Sequence, residues 1–245
     1  MSFYEELSKY YDIVFPTDKE TLEFLSEGLK PFCSVLDAAC GTGGYAIGLA
    51  EKGFHVVGVD LDESMIEQAK EKTPEVDCDF VADDMLNINN RFSGKKFDLI
   101  FCIGNSLVHI LDKNKIMDFI NKVYGMLNNG GKIIIQTINY NRILDCSIDK
   151  LPTIERASYG VKFVRNYNRD EEKSLINFDT ELVISDGKDE RVYNNSVPLL
   201  PLRSEELKEM IANSGFSNIK LYGGFAKEPY DEKSYATVIK ATKLL

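Results

Sequence analysis

A short apolar run, Val35-Leu36-Asp37-Ala38-Ala39, delivers the chain into Cys40-Gly41-Thr42-Gly43-Gly44, and a second run, Val56-Val57-Gly58-Val59, ends in Asp60. The order is strand, glycine turn, helix, strand, acid. Glycine permits tight turning and close approach of backbone to a ligand, and a helix opened at such a turn presents unpaired N–H groups. Asp60 is placed to accept two hydrogen bonds from a ribose diol. Each charge-assisted bond of that kind is worth roughly 1.5–3 kcal/mol.

Gly41-x-Gly43-x-x-Ala46 also fits the looser dinucleotide fingerprint. The glycines alone therefore leave a nicotinamide cofactor and an adenosyl one both open. Asp37, four residues before Gly41, bears on the choice, because a carboxylate there repels a pyrophosphate and welcomes an ammonium. S-adenosylmethionine has a sulfonium and an α-amino group and no phosphate. The competing reading of Asp37 is an acid near a helix N-terminus.

Leu36-Asp37-Ala38-Ala39-Cys40-Gly41-Thr42-Gly43, the Val59-Asp60-Leu61 end of the second strand and Asp84-Met85 after a third resemble the class I S-adenosylmethionine-dependent methyltransferases. The resemblance spans nearly all 245 residues. Within that class the chain is most similar to the glycine and sarcosine N-methyltransferases, through Glu51-Lys52-Gly53-Phe54, the run Cys102 to His109, Asn139-Tyr140 after Gly130-Gly131, and Gly224-Phe225 with Pro229-Tyr230. It implies an α/β Rossmann-like seven-stranded sheet, S-adenosyl-L-methionine as cofactor, and methyl transfer to a small molecule, foremost at an amine nitrogen. It also assigns residues. Asp37, Ala39, Gly41, Gly43, Asp60, Leu61 and Met65 hold the cofactor. Asp84 accepts from the adenine amine while Met85 packs on the ring, although Asp83 stands where the family has glycine, so either acid can face the base.

The same resemblance places Ile103, Gly104 and Asn105 against the methionine arm and the acceptor, and His109 beside the cofactor. His109 is read either as a general base or as a satisfied structural group; Asn105 is read as a catalytic contact or as a turn residue tolerated for its left-handed geometry. In Tyr10-Tyr11-Asp12, Tyr11 closes over the sulfonium by cation–π attraction. The implied catalytic set is Tyr11, Asn105 and His109; Asn139, Tyr140, Arg165 and Tyr230 are the acceptor contacts. No metal is called for.

Composition narrows the rest. A chain of 245 residues with 44% hydrophobic content buries one good core with room for a modest insertion. A net charge of −10 speaks against nucleic acid as substrate. Cys33, Cys40, Cys78, Cys102 and Cys146 are odd in number and irregular in spacing, with no zinc pattern, which suits buried thiols in a reducing compartment. The first six residues lack a basic and apolar signal segment and no apolar run approaches ~18 residues. The expectation is a cytoplasmic protein away from membranes, monomeric or homodimeric because the N-terminal extension of the glycine N-methyltransferases is absent.

Along the chain, a helix over 3–11 and a second from a Thr17-x-x-Glu20 capping box towards Lys30 precede the nucleotide unit. Strands at 33–38, 54–60, 78–82 and 97–103 alternate with helices at 43–52 and 63–73, which predicts a doubly wound parallel sheet. Ile116, Phe119, Ile120, Val123, Tyr124 and Leu127 form a helical stripe stopped by Asn128-Asn129-Gly130-Gly131 before strand 132–138. Residues 139–200 break the alternation with β-rich runs at 159–167, 175–185 and 190–197, an antiparallel meander placed to cover a substrate pocket. Residues 1–245 thus form one domain with 139–200 as an inserted β lid. Ser204 caps a helix ended by Gly215, and strands 217–223 and 234–241 close the sheet as an antiparallel edge.

Two departures from the resembled branch concern the substrate. Ile138 stands where glycine N-methyltransferases carry an arginine for the glycine carboxylate, so glycine itself is disfavoured. The arginine that the family brings to the cofactor carboxylate has no counterpart between Tyr11 and Lys30 beyond Lys19. Arg156, Arg165 and Arg169 on the insertion are replacement cations or solvated charge. The alternatives kept open are an O-methyltransferase, an amino-sugar N-methyltransferase, a non-catalytic protein that binds S-adenosylmethionine or S-adenosylhomocysteine, and a nicotinamide enzyme.

Overall fold

A computed structural model describes residues 3–73 and 76–244; Met1 and Ser2, the start of the N-terminal stretch read above, lie outside the described residues. The helices are α1 (Phe3–Val14), α2 (Lys19–Ser26), α3 (Gly44–Ala50), α4 (Glu63–Glu71), the short α5 (Ile88–Arg91), α6 (Lys113–Met126), α7 (Tyr140–Asp145) and α8 (Ser204–Asn213). The strands are β1 (Ser34–Ala38), β2 (His55–Asp60), β3 (Cys78–Ala82), β4 (Phe97–Cys102), β5 (Leu127–Ile138), β6 (Lys150–Arg156), β7 (Val161–Asp170), β8 (Leu175–Ser185), β9 (Glu190–Leu199), β10 (Ser217–Tyr222) and β11 (Ala236–Thr242). They form a seven-stranded sheet in the order β10-β11-β5-β4-β1-β2-β3 and a four-stranded sheet in the order β6-β7-β8-β9.

Side-chain alternation explains the double winding. Leu36, Ile100, Ile133 and Ile135 point to one face of the large sheet, where Ile116, Phe119, Ile120 and Val123 of α6 and Leu207 and Ile211 of α8 pack on them. Val35, Leu99, Phe101 and Ile134 point to the other, against Phe24 and Leu25 of α2, Ala46 and Leu49 of α3, and Ile66 and Ala69 of α4. A strand segment buried on both faces reads as a continuous apolar run, as Leu99–Cys102 of β4 and Ile133–Ile135 of β5 do. β1 pairs in parallel with β2 on one side and β4 on the other. The order of connection therefore reverses between β1 and β4, and a crevice opens at their carboxyl ends. Only β11 runs antiparallel to β5, with β10 beyond it at the edge.

The second sheet is a four-stranded antiparallel meander, one strand larger than the sequence pattern indicates. β6 escapes the pattern because it contains Pro152 and shifts register between Leu151 and Ile154. Proline cannot donate to a ladder and is tolerated on an edge strand, which is where β6 lies. A third apolar cluster joins Leu7 and Val14 of α1 and Met65 of α4 to Val161, Phe163, Leu182 and Ile184 of this sheet. α1 is thus the element that ties the small sheet to the glycine-turn half of the large one.

Several local expectations are corrected. α2 is capped by Asp18, whose carboxylate accepts from the Thr21 N–H and hydroxyl at 2.7 Å each, rather than by Thr17, and it stops at Ser26. The cap of α8 lies at Arg203, whose N–H donates to Glu206 at 3.1 Å, so Ser204 is already helical. Asn128 to Gly131 belong to a bulged start of β5, since the Gly130 N–H reaches the Lys243 carbonyl at 2.8 Å. α7 interrupts the β-rich insertion. Against the expectation of buried thiols, only Cys102 is buried; Cys33, Cys40 and Cys78 are half-buried, and Cys146, at the end of the short helix α7, is exposed. No helix among the described residues is long and apolar enough to cross a membrane.

Candidate active site

Where β1 ends, the backbone turns through three residues with positive φ: Ala39 (82°), Gly41 (54°) and Gly43 (78°). The Ala39 and Cys40 N–H groups both donate to the Val59 carbonyl, at 2.7 and 2.9 Å, so the turn is fastened to β2. Asp60 accepts from the Gly41 N–H at 2.8 Å and the Asp62 N–H at 3.0 Å, one on each oxygen. At Gly43 a Cβ would overlap the edge of the Phe80 ring and stand 3.1 Å from Ala69. Glycine is required there by packing beneath the turn, and Gly43 itself does not reach the cavity above it.

Asp37 is 2% exposed and its Oδ1 finds no hydrogen-bond donor in the protein. Burial, and then the charge of Asp60, push its carboxyl well above the usual range. Burial also raises Asp60, opposed by its backbone hydrogen bonds. Two carboxylates poor in positive partners therefore flank the glycine turn, the condition that a cationic ligand relieves.

The cavity over this turn holds about 1070 Å³, the upper end of the range for small-molecule sites. Tyr11, Asp37, Ala39, Gly41, Asp60, Leu61, Met65, Asp84, Met85, Ile103, Gly104, Asn105 and His109 all line it. Tyr11 reaches it from α1 and lies over the turn, 3.2 Å from where a Gly41 Cβ would be. Its neighbour Asp12 accepts from the Thr42 hydroxyl at 2.5 Å and from Lys72 at 2.6 Å, which anchors α1 to both the turn and α4. Asp83 and Asp84 both face the cavity. Asp83 Oδ1 accepts from the Asp84 N–H at 2.8 Å, and Asp84 Oδ1 caps the following turn through the Leu86 N–H at 2.8 Å.

At the end of β4, Gly104 and Asn105 take φ of 75° and 68°. The Asn105 side chain is committed on both ends: Oδ1 accepts from the Ile138 N–H at 3.0 Å and Nδ2 donates to the Tyr140 hydroxyl at 3.1 Å. It clamps β4 to β5 while its residue lines the cavity. His109 is open to the cavity but crowded by protein, and that desolvation lowers its pKa. His55, by contrast, is exposed and pairs with Asp77 on the surface.

Three residues expected at the acceptor are placed elsewhere. Asn139 is fully buried; its Nδ2 donates to the carbonyls of Asp231, Glu232 and Ser234, and its Oδ1 accepts from the Tyr230 hydroxyl at 3.0 Å. It holds the segment before β11 in place. Tyr140 is fully buried with its hydroxyl on Asn105. Neither these two nor Tyr230 line the cavity, whereas Arg165 and Ile138 do. The wall contributed by the small sheet is instead Phe163, Arg165, Phe178, Thr180 and Asn195. The face of β7 and β8 that turns inward is the one on which Leu7 and Val14 of α1 pack.

A family model described as "Methyltransferase domain" matches residues 35–131. The glycine/sarcosine N-methyltransferase of Aphanothece halophytica is 30% identical over 214 residues, covering 86% of this chain and 76% of that protein. The chain belongs to the class I S-adenosylmethionine-dependent methyltransferases. A putative methyltransferase of Bacillus subtilis is 27% identical and covers 99% of this chain and 95% of its own. Among solved structures, an S-adenosylmethionine-dependent methyltransferase from Clostridium acetobutylicum superposes with a TM-score of 0.82 at 20% identity, covering 99% of each chain.

The residues of this methyltransferase fit its cofactor, S-adenosylmethionine. The unpartnered Asp37 oxygen lacks the donor that an α-ammonium supplies, and Asp60 keeps unused acceptor capacity beside two backbone N–H bonds. The cations on the cavity wall among the described residues are Lys115 on α6 and Arg165 on β7, neither of them at the glycine turn where a pyrophosphate would lie.

Proposed function

We propose that this methyltransferase transfers its methyl group to an amine nitrogen of a small molecule bound beneath the 150–199 sheet, which acts as the substrate lid. The observation that carries the reading is the 30% identity, over most of both chains, to a protein named glycine/sarcosine N-methyltransferase. In this proposal Asp37, Ala39, Gly41, Asp60, Leu61 and Met65 hold the ammonium and ribose ends of the cofactor. Asp84 and Met85 bracket its base, with Asp83 a second acceptor, and Ile103 and Gly104 border its amino-acid arm.

When bound, S-adenosylmethionine supplies an activated methyl on a good leaving group. The chain's own task is then alignment and exclusion of water. Orientation is worth up to roughly 7–11 kcal/mol of barrier. The Tyr11 ring lies over the glycine turn, where it would border a bound sulfonium by cation–π attraction. Asn105 acts by fixing the β4–β5 edge, since both ends of its amide are occupied by protein partners. A neutral amine attacks without a base, so His109 borders the site as an uncharged wall residue. Desolvation lowers its pKa, which favours the neutral imidazole.

The test is S-adenosylhomocysteine formation across matched pairs of amines and hydroxyl compounds. The proposal expects turnover with amines at least tenfold above the hydroxyl partner of each pair. Turnover confined to phenols or alcohols, with His109→Ala inactive, would replace it with O-methylation.

A further inference from the structure

The lid presents an unusual transverse row to the cavity. Arg165 on β7 pairs directly with Thr180 on β8, and Thr180 with Asn195 on β9, so one polar line crosses three strands. Phe163 lies two residues before Arg165 on the same strand, and Phe178 lies two residues before Thr180, so an aromatic ring borders the row on each side. All five residues line the cavity. The lid contributes no carboxylate to this wall; the acids come from α1, from the ends of β1, β2 and β3, and from the starts of α4 and α6.

Arg165 stands apart from its neighbours in how it is held. Arg156 donates its Nε to the Ile13 carbonyl at 3.1 Å, and Arg169 spans the Ile143 and Leu144 carbonyls at 2.7 and 2.6 Å. Both fasten the lid to helices. Arg165 donates Nη2 to the Pro152 carbonyl at 2.6 Å, while its Nε is buried with no acceptor at all. Partial burial lowers its pKa. The half-buried guanidinium thus keeps a shielded Nε–H without an acceptor facing the cavity side of the lid, and its fork geometry matches a planar oxyanion.

We propose that Arg165, flanked by Thr180 and Asn195, is the anion-recognising residue of the acceptor site, so that the acceptor is an amine that also carries an oxyanion, a carboxylate or a phosphate, with its body between Phe163 and Phe178. This rests on the N-methyltransferase reading for the amine alone. It shifts anion recognition from the β5 end, where Ile138 is apolar, to the lid. The acceptor then spans the cavity, its nitrogen at the glycine-turn side and its anion at the sheet above.

Calorimetric titration of the S-adenosylhomocysteine-loaded enzyme with phenylacetate, phenylphosphonate and the neutral phenylacetamide tests the anion site without any turnover. Wild-type enzyme should bind at least one anion tenfold or more tightly than phenylacetamide, and the order of the two anions tells carboxylate from phosphate. Arg165→Met should erase that preference with S-adenosylhomocysteine affinity unchanged, and Arg165→Lys should restore part of it. Equal binding of the amide, or an anion preference that survives in Arg165→Met, overturns the proposal. If the anion preference is present and no amine is methylated, the N-methylation reading fails and the anion site stands.

Discussion

The Gly41 N–H donates to Asp60 Oδ2 at 2.8 Å, so the residue that ends β2 also shapes the turn that ends β1. One carboxylate thereby sets the backbone of the glycine turn and offers its remaining lone pairs to a ribose. Asp60→Ala should weaken S-adenosylmethionine binding by ~10- to 150-fold, the equivalent of one charge-assisted bond of about 1.5–3 kcal/mol. Asp60→Asn, which keeps an oxygen acceptor, should lose less. Calorimetric titration of both variants checks this, and unchanged affinity in Asp60→Ala would remove the residue from the cofactor site.

Asp37 makes the ligand-free enzyme sensitive to pH in a defined direction. Its folded pKa lies above the unfolded one, so the native state holds more protons, and stability falls as pH rises from the ordinary carboxylate range through the raised value. Asp60 shifts the same way. Asp37→Asn should therefore stabilise the ligand-free protein at pH 7, by about 1–3 kcal/mol as for a buried unsatisfied group, while weakening S-adenosylmethionine binding. Thermal melts at pH 5 and 8 should show a shallower decline in the variant; equal slopes would refute the assignment.

Two glycines with positive φ separate packing from function. Gly43→Ala would force a methyl against Phe80 and Ala69 as well as straining the backbone, and should cost about 2–4 kcal/mol of stability. At Gly104 a Cβ meets nothing nearer than 3.9 Å. Gly104→Ala should cost only the backbone term, about 1–2 kcal/mol, yet lower kcat/KM because the methyl enters the cavity. Chemical denaturation beside steady-state kinetics separates the two effects.

His109→Ala tests whether the reaction needs a base. General-base catalysis typically contributes 10²–10⁴-fold, so a base-free transfer predicts a loss of under tenfold in kcat. A loss of a hundredfold with normal cofactor binding would make His109 the base.

Much of the fold is legible in the sequence. The large sheet is readable because short apolar runs form the centres of its strands, and because Asp37, Gly41 and Asp60 stand where only a strand–turn–helix–strand unit brings them together. The acceptor wall was less legible. Asn139, Tyr140 and Tyr230 match the family in sequence, but Asn139 and Tyr230 are hydrogen-bonded at the β5–β11 junction and Tyr140 to Asn105 at the end of β4. Sequence likeness there reports a shared scaffold. Thr180 and Asn195 gave no local signal, because a polar residue on an antiparallel strand reads as solvent-facing until α1 is seen to cover that face. Pro152 hid β6 in the same way, by breaking a pattern that an edge strand does not need.

The most direct test of the account is the position of the transferred methyl. S-adenosylmethionine labelled with ¹³C in its methyl group would be turned over with acceptors that each carry an amine and a hydroxyl: tyrosine, serine, ethanolamine and glucosamine. Carbon–proton correlation spectra of the products then report the atom that received the label. The account predicts N-methyl signals alone from every acceptor that reacts. O-methyl signals, or no labelled product from any of the four while S-adenosylmethionine binds normally, would contradict it.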